Sequence, residues 1–246
     1  MRPILLSCAV LLSLAAAPMV LAQSADNAGE RRIMSSAAFL SGHPDLRYRL
    51  SGLDNFRKGH YDEAMIHFRR AARYSDKPSQ GMIGEMYWEG TGVAQDKALG
   101  YVWMDLAAER AYPLMLAKRE RYWSELDEAG RARALEIGQQ VYAEYGDEVA
   151  KARLDRELRF AKRNTTGSRV GSVGALTIVI PTPGGSEVVD GTAFYDEKFW
   201  NIDQYVQWQD RDWKVVGQGT VDVGEVMVTD TPLPEDVEEG GDAAED

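Results

Sequence analysis

Ser79 to Ala111 reads SQGMIGEMYWEGTGVAQDKALGYVWMDLAAERA, and the fold turns on this stretch. Ile83 and Tyr87 stand one helical turn apart, with Gly84 and Met86 between them. Gly90 and Gly92 then break the helix ahead of Val93. Asp96 is placed to cap a second helix, which carries Trp103, Leu106, Ala107 and Ala108 on or near one face. The small residues Gly84, Ala107 and Ala108 let two helices approach closely, while Tyr87 and Trp103 fill the space beside them. The stretch predicts a helix hairpin whose apolar stripe is too large for one pair of helices to bury. Such a unit stacks on neighbours.

A similar layout precedes it. Asp45 opens a helical pattern through Leu46, Leu50, Leu53 and Phe56, which Gly59 ends. Tyr61 to Tyr74 then forms a return helix with Ala64, Phe68, Ala71 and Ala72 inward. The second helices of the two hairpins are in register: Ala64 matches Gly100, Phe68 matches Met104, Ala71 matches Ala107 and Ala72 matches Ala108, each pair 36 residues apart. That offset lies in the range of helical repeat arrays. Two units are fewer than such arrays need, so further helices must cover the ends. Pro113 can start one through Leu116, Ala117 and Tyr122. Ser124-x-x-Asp127 reads as a capping-box variant opening another, with Leu135, Gly138, Val141, Tyr142 and Tyr145 on its buried side and Gly146 at its end. A last helix, Asp147 to Lys162, offers Val149, Ala152, Leu154, Leu158 and Phe160.

The order Ile83-Gly84, Tyr87, Gly90, Gly92-Val93, Trp103, Ala107-Ala108 resembles the Sel-one-like repeat (SLR), a relative of the tetratricopeptide repeat. That family's pattern runs Leu-Gly, Tyr, Gly-x-Gly-Val, then Ala, Trp and a paired Ala-Ala. Ser79 and Gly100 stand where the family has alanine, and Ile83 replaces its leucine. In the first hairpin, Gly52, Gly59, Tyr61, Ala64, Phe68 and Ala71 resemble a tetratricopeptide unit with a tight turn. The resemblance implies an α-solenoid that binds other proteins. The partner is expected to be a protein or peptide, whose identity the resemblance does not supply.

The first residues read as a secretion signal over 1–22: Arg2, an apolar run from Ile4 to Leu21, and Val20-x-Ala22 before a cleavage point at Gln23. An uncleaved anchor is the alternative, against which Pro18 and the small residues before Gln23 argue. Cys8 is the only cysteine, so a processed chain has no disulfide, thiol chemistry or thiolate metal site. Export to a bacterial periplasm fits that composition. No later segment is apolar enough to span a bilayer. Residues 23–42 are expected to form a flexible lead-in with one short helix.

Charge divides the rest. From His43 to Arg163 there are 21 basic and 20 acidic residues; from Asn164 to Asp246 there are 4 and 17. No part is strongly basic, which argues against nucleic acid as a partner. The change marks a boundary near Asn164, so the expected architecture is α+β: a helical repeat domain over 43–163, a small β-rich module over 164–231, and a disordered acidic tail over 232–246. Within the module, Ala175 to Ile180 reads as a strand. Val188-Val189, Thr192 to Tyr195, Trp213 to Val223 and Glu225 to Val228 are further candidates, and Phe199 to Gln209 is a short helix with Ile202, Tyr205 and Val206 inward.

Signals for chemistry are thin. His60 and His67 are seven apart, but His60 falls in a turn and no third ligand is evident, so no metal site is expected. Gly90-x-Gly92 lacks the preceding strand and following lysine of a phosphate loop. Ser168, Ser172 and Ser186 have no histidine in their half of the chain, and Glu85 and Glu89 read as two solvated carboxylates on one helix. No catalytic residue and no cofactor are assigned. Trp200, Trp208 and Trp213 either fill a small core or present a peptide or glycan contact, and the second option is the route to an enzyme or glycan-binding alternative. Asn164-x-Thr166 matches a glycosylation acceptor. Arg153, Arg156, Arg159 and Arg163 form a basic stripe on the last helix, a candidate docking surface for acidic groups.

Overall fold

A computed structural model describes residues 29–163, 176–182 and 185–215. The expected signal sequence, the acidic tail, the strands expected beyond 215, Ser168, Ser172 and the Asn164-x-Thr166 triplet lie outside these residues. After a helical stretch at 29–35, the order is α1 (Ala37–Gly42), α2 (Pro44–Arg57), α3 (Tyr61–Ala72), α4 (Lys77–Glu89), α5 (Lys97–Ala107), a 3-10 turn (Ala108–Arg110), α6 (Pro113–Glu125), α7 (Glu128–Tyr145) and α8 (Asp147–Arg163). Two strands follow, β1 (Thr177–Thr182) and β2 (Gly185–Asp190), then α9 (Gly191–Phe194), α10 (Glu197–Trp200) and α11 (Ile202–Val215).

Helices α2 and α3 form one hairpin and α4 and α5 a second, which makes this a helical-repeat architecture. Asp96 caps α5, its side chain accepting from the Leu99 N–H at 3.0 Å. Gly90 and Gly92 have φ of 73° and 70°, so both occupy the left-handed region that a side chain disfavours. Between α4 and α5 the backbones nearly touch: a Cβ on Gly84 would lie 3.0 Å from the Gly100 carbonyl oxygen. Glycine on both helices is what permits that approach. Helix α5 then carries α6 and α7 on its other sides.

Among the described residues, three apolar clusters make the core. One lies between the hairpins around Phe68, Ile83 and Trp103, and a second joins α5 to α6 and α7 around Trp88, Tyr112 and Tyr122. The third gathers Ile33, Phe39 and Leu46, Leu154 and Leu158 of α8, and Phe194, Phe199, Trp200, Tyr205 and Trp208. The chain's early and late described segments therefore share one core.

Several expectations change. The described part of 164–231 is not β-rich: it holds one antiparallel hairpin, pairing Val179 with Val188, and three helices. Thr192 falls in α9, and Trp213 falls in α11 instead of a strand, because Tyr205, Val206 and Trp208 place an apolar helical face on the core. The lead-in is ordered over 29–42, where Phe39 is fully buried. Ser124 is no cap: α6 runs through it, its hydroxyl donates to the Arg121 carbonyl, and Asp127 itself caps α7 by accepting from Gly130 N–H at 2.7 Å. Leu135 is exposed because the inward face of α7 runs through Ala134, Ile137, Val141 and Tyr145. Phe160 is exposed for the same reason, since α8 turns Ala150, Leu154, Leu158 and Ala161 inward.

Candidate functional site: a polar junction and a basic helix

Prolines open α2, α4 and α6 at Pro44, Pro78 and Pro113, spacings of 34 and 35 residues. A proline at a helix start costs no hydrogen bond, because that N–H has no partner inside the helix. The residues just before these prolines, His43, Lys77 and Tyr112, each carry a polar group and are buried. Tyr205 of α11 donates to Asp45 at 2.7 Å, and Gln209 donates to the same carboxylate oxygen at 3.2 Å. Arg49 lies 3.0 Å from Asp76, whose other oxygen accepts from Ser79 N–H. Burial raises the Asp76 carboxyl above its ordinary value; Arg49 opposes the rise and nearby Asp45 adds to it.

Lys77, fully buried at its side chain, pairs with Glu109 at 2.6 Å and Asp147 at 2.9 Å, and donates to the Leu106 carbonyl. Arg110 makes a two-point grip on Asp147 at 2.7 and 3.2 Å, and also donates to Ser75. Burial alone would push the Asp147 carboxyl up, but Arg110, with Lys77 and Ser75, outweighs it and holds the group well below the usual carboxylate range. Tyr112 donates to Asp210 of α11 at 2.7 Å, and burial raises its phenol well above the ordinary value. Trp213 stacks on Tyr112 at 6.1 Å. His43, fully buried, adds a further tie: its ring nitrogens lie 2.8 Å from the Phe39 and Phe199 carbonyls, and burial lowers its pKa.

Chemically, the junction is a set of charges that neutralise one another. Its lysine and its arginines each face a carboxylate, which fixes the three helix starts, α8 and α11 against each other. Sequence reading missed Asp45, Asp76, Lys77, Arg110 and Asp147 as a group. The recurrent proline preceded by a polar residue at a 34- to 35-residue interval was the available signal.

The repeat-signature residues serve packing. Ile83, Gly84, Trp103, Ala107 and Ala108 are buried. Tyr87 is half-buried and its hydroxyl accepts from Arg69, while Gly90, Gly92 and Val93 form the turn. Trp200 and Trp208 are buried in the third cluster and present no contact surface; Trp213 is half-buried. The arginine stripe divides. Arg153 is bound inward to the Glu144 carbonyl at 2.5 Å and the Arg73 carbonyl at 3.4 Å. Arg159 pairs with Asp155 on its own helix, and Arg156 and Arg163 are exposed. An open cleft there is lined by Arg156, Glu157, Arg159, Phe160 and Arg163. The apolar side of α8, not the stripe, docks the C-terminal segment. Among the described residues, no helix is long and apolar enough to cross a membrane, and no group of three or more potential metal ligands occurs.

No family profile and no curated protein matches the sequence. Among solved structures, the chain is similar to a protective antigen present in uropathogenic Escherichia coli strains that displays an SLR fold, at 27% identity and a TM-score of 0.33. That similarity covers 44% of this chain and 22% of the antigen.

Proposed function

We propose that the chain is a non-enzymatic scaffold of the SLR type that holds a protein partner after export to the bacterial periplasm. The carrying observation is the close contact of α4 with α5, where the apolar signature is consumed in stacking hairpins and charged helix faces are left outward. The sequence resemblance over Ile83 to Ala108 supports the SLR assignment, and the leader over 1–22 supports export. The partner surface is the outer face of α8, where Arg156 and Arg159 flank exposed Phe160. Exposed ion pairs contribute at most about 1 kcal/mol each, so the ring must share the contact with an acidic partner segment.

The test is a pull-down from the native cell envelope with the full chain, comparing wild type with Arg156→Glu/Arg159→Glu/Phe160→Ser. Circular dichroism verifies that the variant is folded. Loss of one reproducible protein partner in the variant supports the reading. Equal retention removes α8 as the surface, and the absence of any enriched protein defeats the scaffold reading.

A further inference from the structure

Arginines gather at one end of the first hairpin. Arg47 stands in the first turn of α2 and Arg70 in the last turn of α3, and both guanidinium groups lie over the ring of Tyr48, at 4.8 and 5.6 Å. Arg73, one turn beyond Arg70, accepts at its carbonyl from Arg153 of α8 at 3.4 Å. Tyr74 is within electrostatic reach of Arg47, Arg73, Tyr48 and Glu157 of α8. These contacts put Arg47, Arg70, Arg73 and Arg153 on one surface, where α2, α3 and α8 meet.

Unlike the cations of the polar junction, Arg47 and Arg70 face no carboxylate among the described residues. Glu144 is taken by Arg73 at 2.7 Å, and Arg153 donates to two backbone carbonyls. Both Arg47 and Arg70 are exposed, and two like charges over one ring stand within about 10 Å, close enough to repel at ordinary salt. The Tyr48 hydroxyl accepts from Arg47, which leaves its own proton free to donate. This surface is built to receive carboxylates.

The chain carries them. Residues 235–246, outside the described residues, hold seven carboxylates, no cation and only one large apolar side chain, Val237. Such a run has little apolar surface to bury and finds its contacts through charge. Helix α11 ends beside the arginine surface: Trp213 stacks on Tyr112, Tyr112 accepts from Arg110, and Arg110 donates to Ser75, the neighbour of Tyr74. Residues 216–234 join Val215 to the acidic run, and nineteen residues span about 25 Å even as a random coil.

We infer that the acidic segment 235–246 seats on this arginine end of the first hairpin, its carboxylates shared between Arg47 and Arg70, and covers it against other anions. Tethered by so short a connection, the segment stands at an effective concentration of about 1 mM, so a contact too weak to hold a free peptide is occupied. Arginine suits the role, since its planar fork takes a carboxylate at two points while Tyr48 braces its face. The contact goes beyond the scaffold reading and does not require it.

The test uses the full chain with one spin label. Cys8 is the only cysteine, so Cys8→Ser/Ala244→Cys carries a nitroxide on the acidic segment alone. In isotope-labelled protein the amide signals of Tyr48, His67 and Arg70 should broaden, and salt at about 0.5 M should weaken the effect. Arg47→Glu/Arg70→Glu should lower the relaxation enhancement about fivefold, the loss expected for two exposed ion pairs. Arg57→Glu, at the hairpin's other end, should leave it unchanged. Adding Glu235→Lys/Asp236→Lys/Glu238→Lys/Glu239→Lys to the arginine variant should restore it, which a misfolded surface would not allow. No broadening at these amides, equal broadening in the Arg47/Arg70 variant, no restoration by the reversed charges, or broadening centred on Arg156 and Phe160 overturns the inference. So does broadening when the spin label and the isotope label are on separate chains in one mixture, which would make a second copy the donor of the segment.

Discussion

The Tyr205 hydroxyl donates a 2.7 Å hydrogen bond to Oδ2 of Asp45, and the two residues are 160 positions apart. One belongs to the last described helix and the other to the first turn of the first repeat hairpin. Both are fully buried, and the other Asp45 oxygen has no hydrogen-bond partner among the described residues. The C-terminal helix is therefore part of the repeat domain's own framework.

Tyr205→Phe keeps the ring and removes the donor. Gln209 alone then faces a buried carboxylate, so the substitution should cost about 1–3 kcal/mol. Urea unfolding of the full chain measures it. An unchanged midpoint would mean that water already serves Asp45.

Asp147→Asn should be harsher. It removes the carboxylate shared by Lys77 and Arg110, both buried, and breaking a buried pair costs about 3–5 kcal/mol. A loss under about 1 kcal/mol would show that Glu109 and Asp210 suffice for the two cations.

The same carboxylate sets an acid limit. Its folded pKa lies below the unfolded value, so its contribution is complete at pH values above the ordinary carboxylate range and falls as pH drops below it. Stability measured stepwise from neutral pH to below pH ~4 should decline more steeply in wild type than in Asp147→Asn. Parallel curves would remove Asp147 from the account. Asp76 acts in the opposite sense, because its raised pKa makes protonation favour the fold, so it softens the decline.

The repeat core makes its own demand. Trp103 is 2% exposed, and Trp103→Ala should cost about 3–5 kcal/mol through lost burial and the cavity left behind. Gly100→Ala should cost about 1–3 kcal/mol although it only adds a methyl group, since that carbon would lie 2.8 Å from the Trp88 backbone nitrogen. Thermal unfolding of both variants checks this. A neutral Gly100→Ala would show that the two hairpin helices can part without loss.

How much could be read beforehand depended on whether the determining contacts were local. The hairpin at Ser79 to Ala111 was legible because its caps, glycines and apolar period all act within a few residues. The register of Phe68 with Met104 was legible for the same reason. Helix α11 was not: the run through Trp213 suits a strand as well as a helix, and Asp45, Arg110 and Tyr112 decide between them from far along the chain. Arg153 shows the limit at the candidate surface. Its spacing puts it on the stripe, yet the carbonyls of Glu144 and Arg73, brought near only by the packing of α8, turn it inward.

The Tyr205–Asp45 closure also orders the folding of the chain in time. Each hairpin closes over short separations and can form without the rest of the chain. The core around Phe39 and Leu46 cannot close until Trp208 is in place, because Phe199, Tyr205 and Trp208 supply much of its surface. Hydrogen exchange during refolding should therefore protect Ile83 and Trp103 early, and Phe39 and Tyr205 together and last. The segment around Phe39 therefore gains its core only when the last described helix docks.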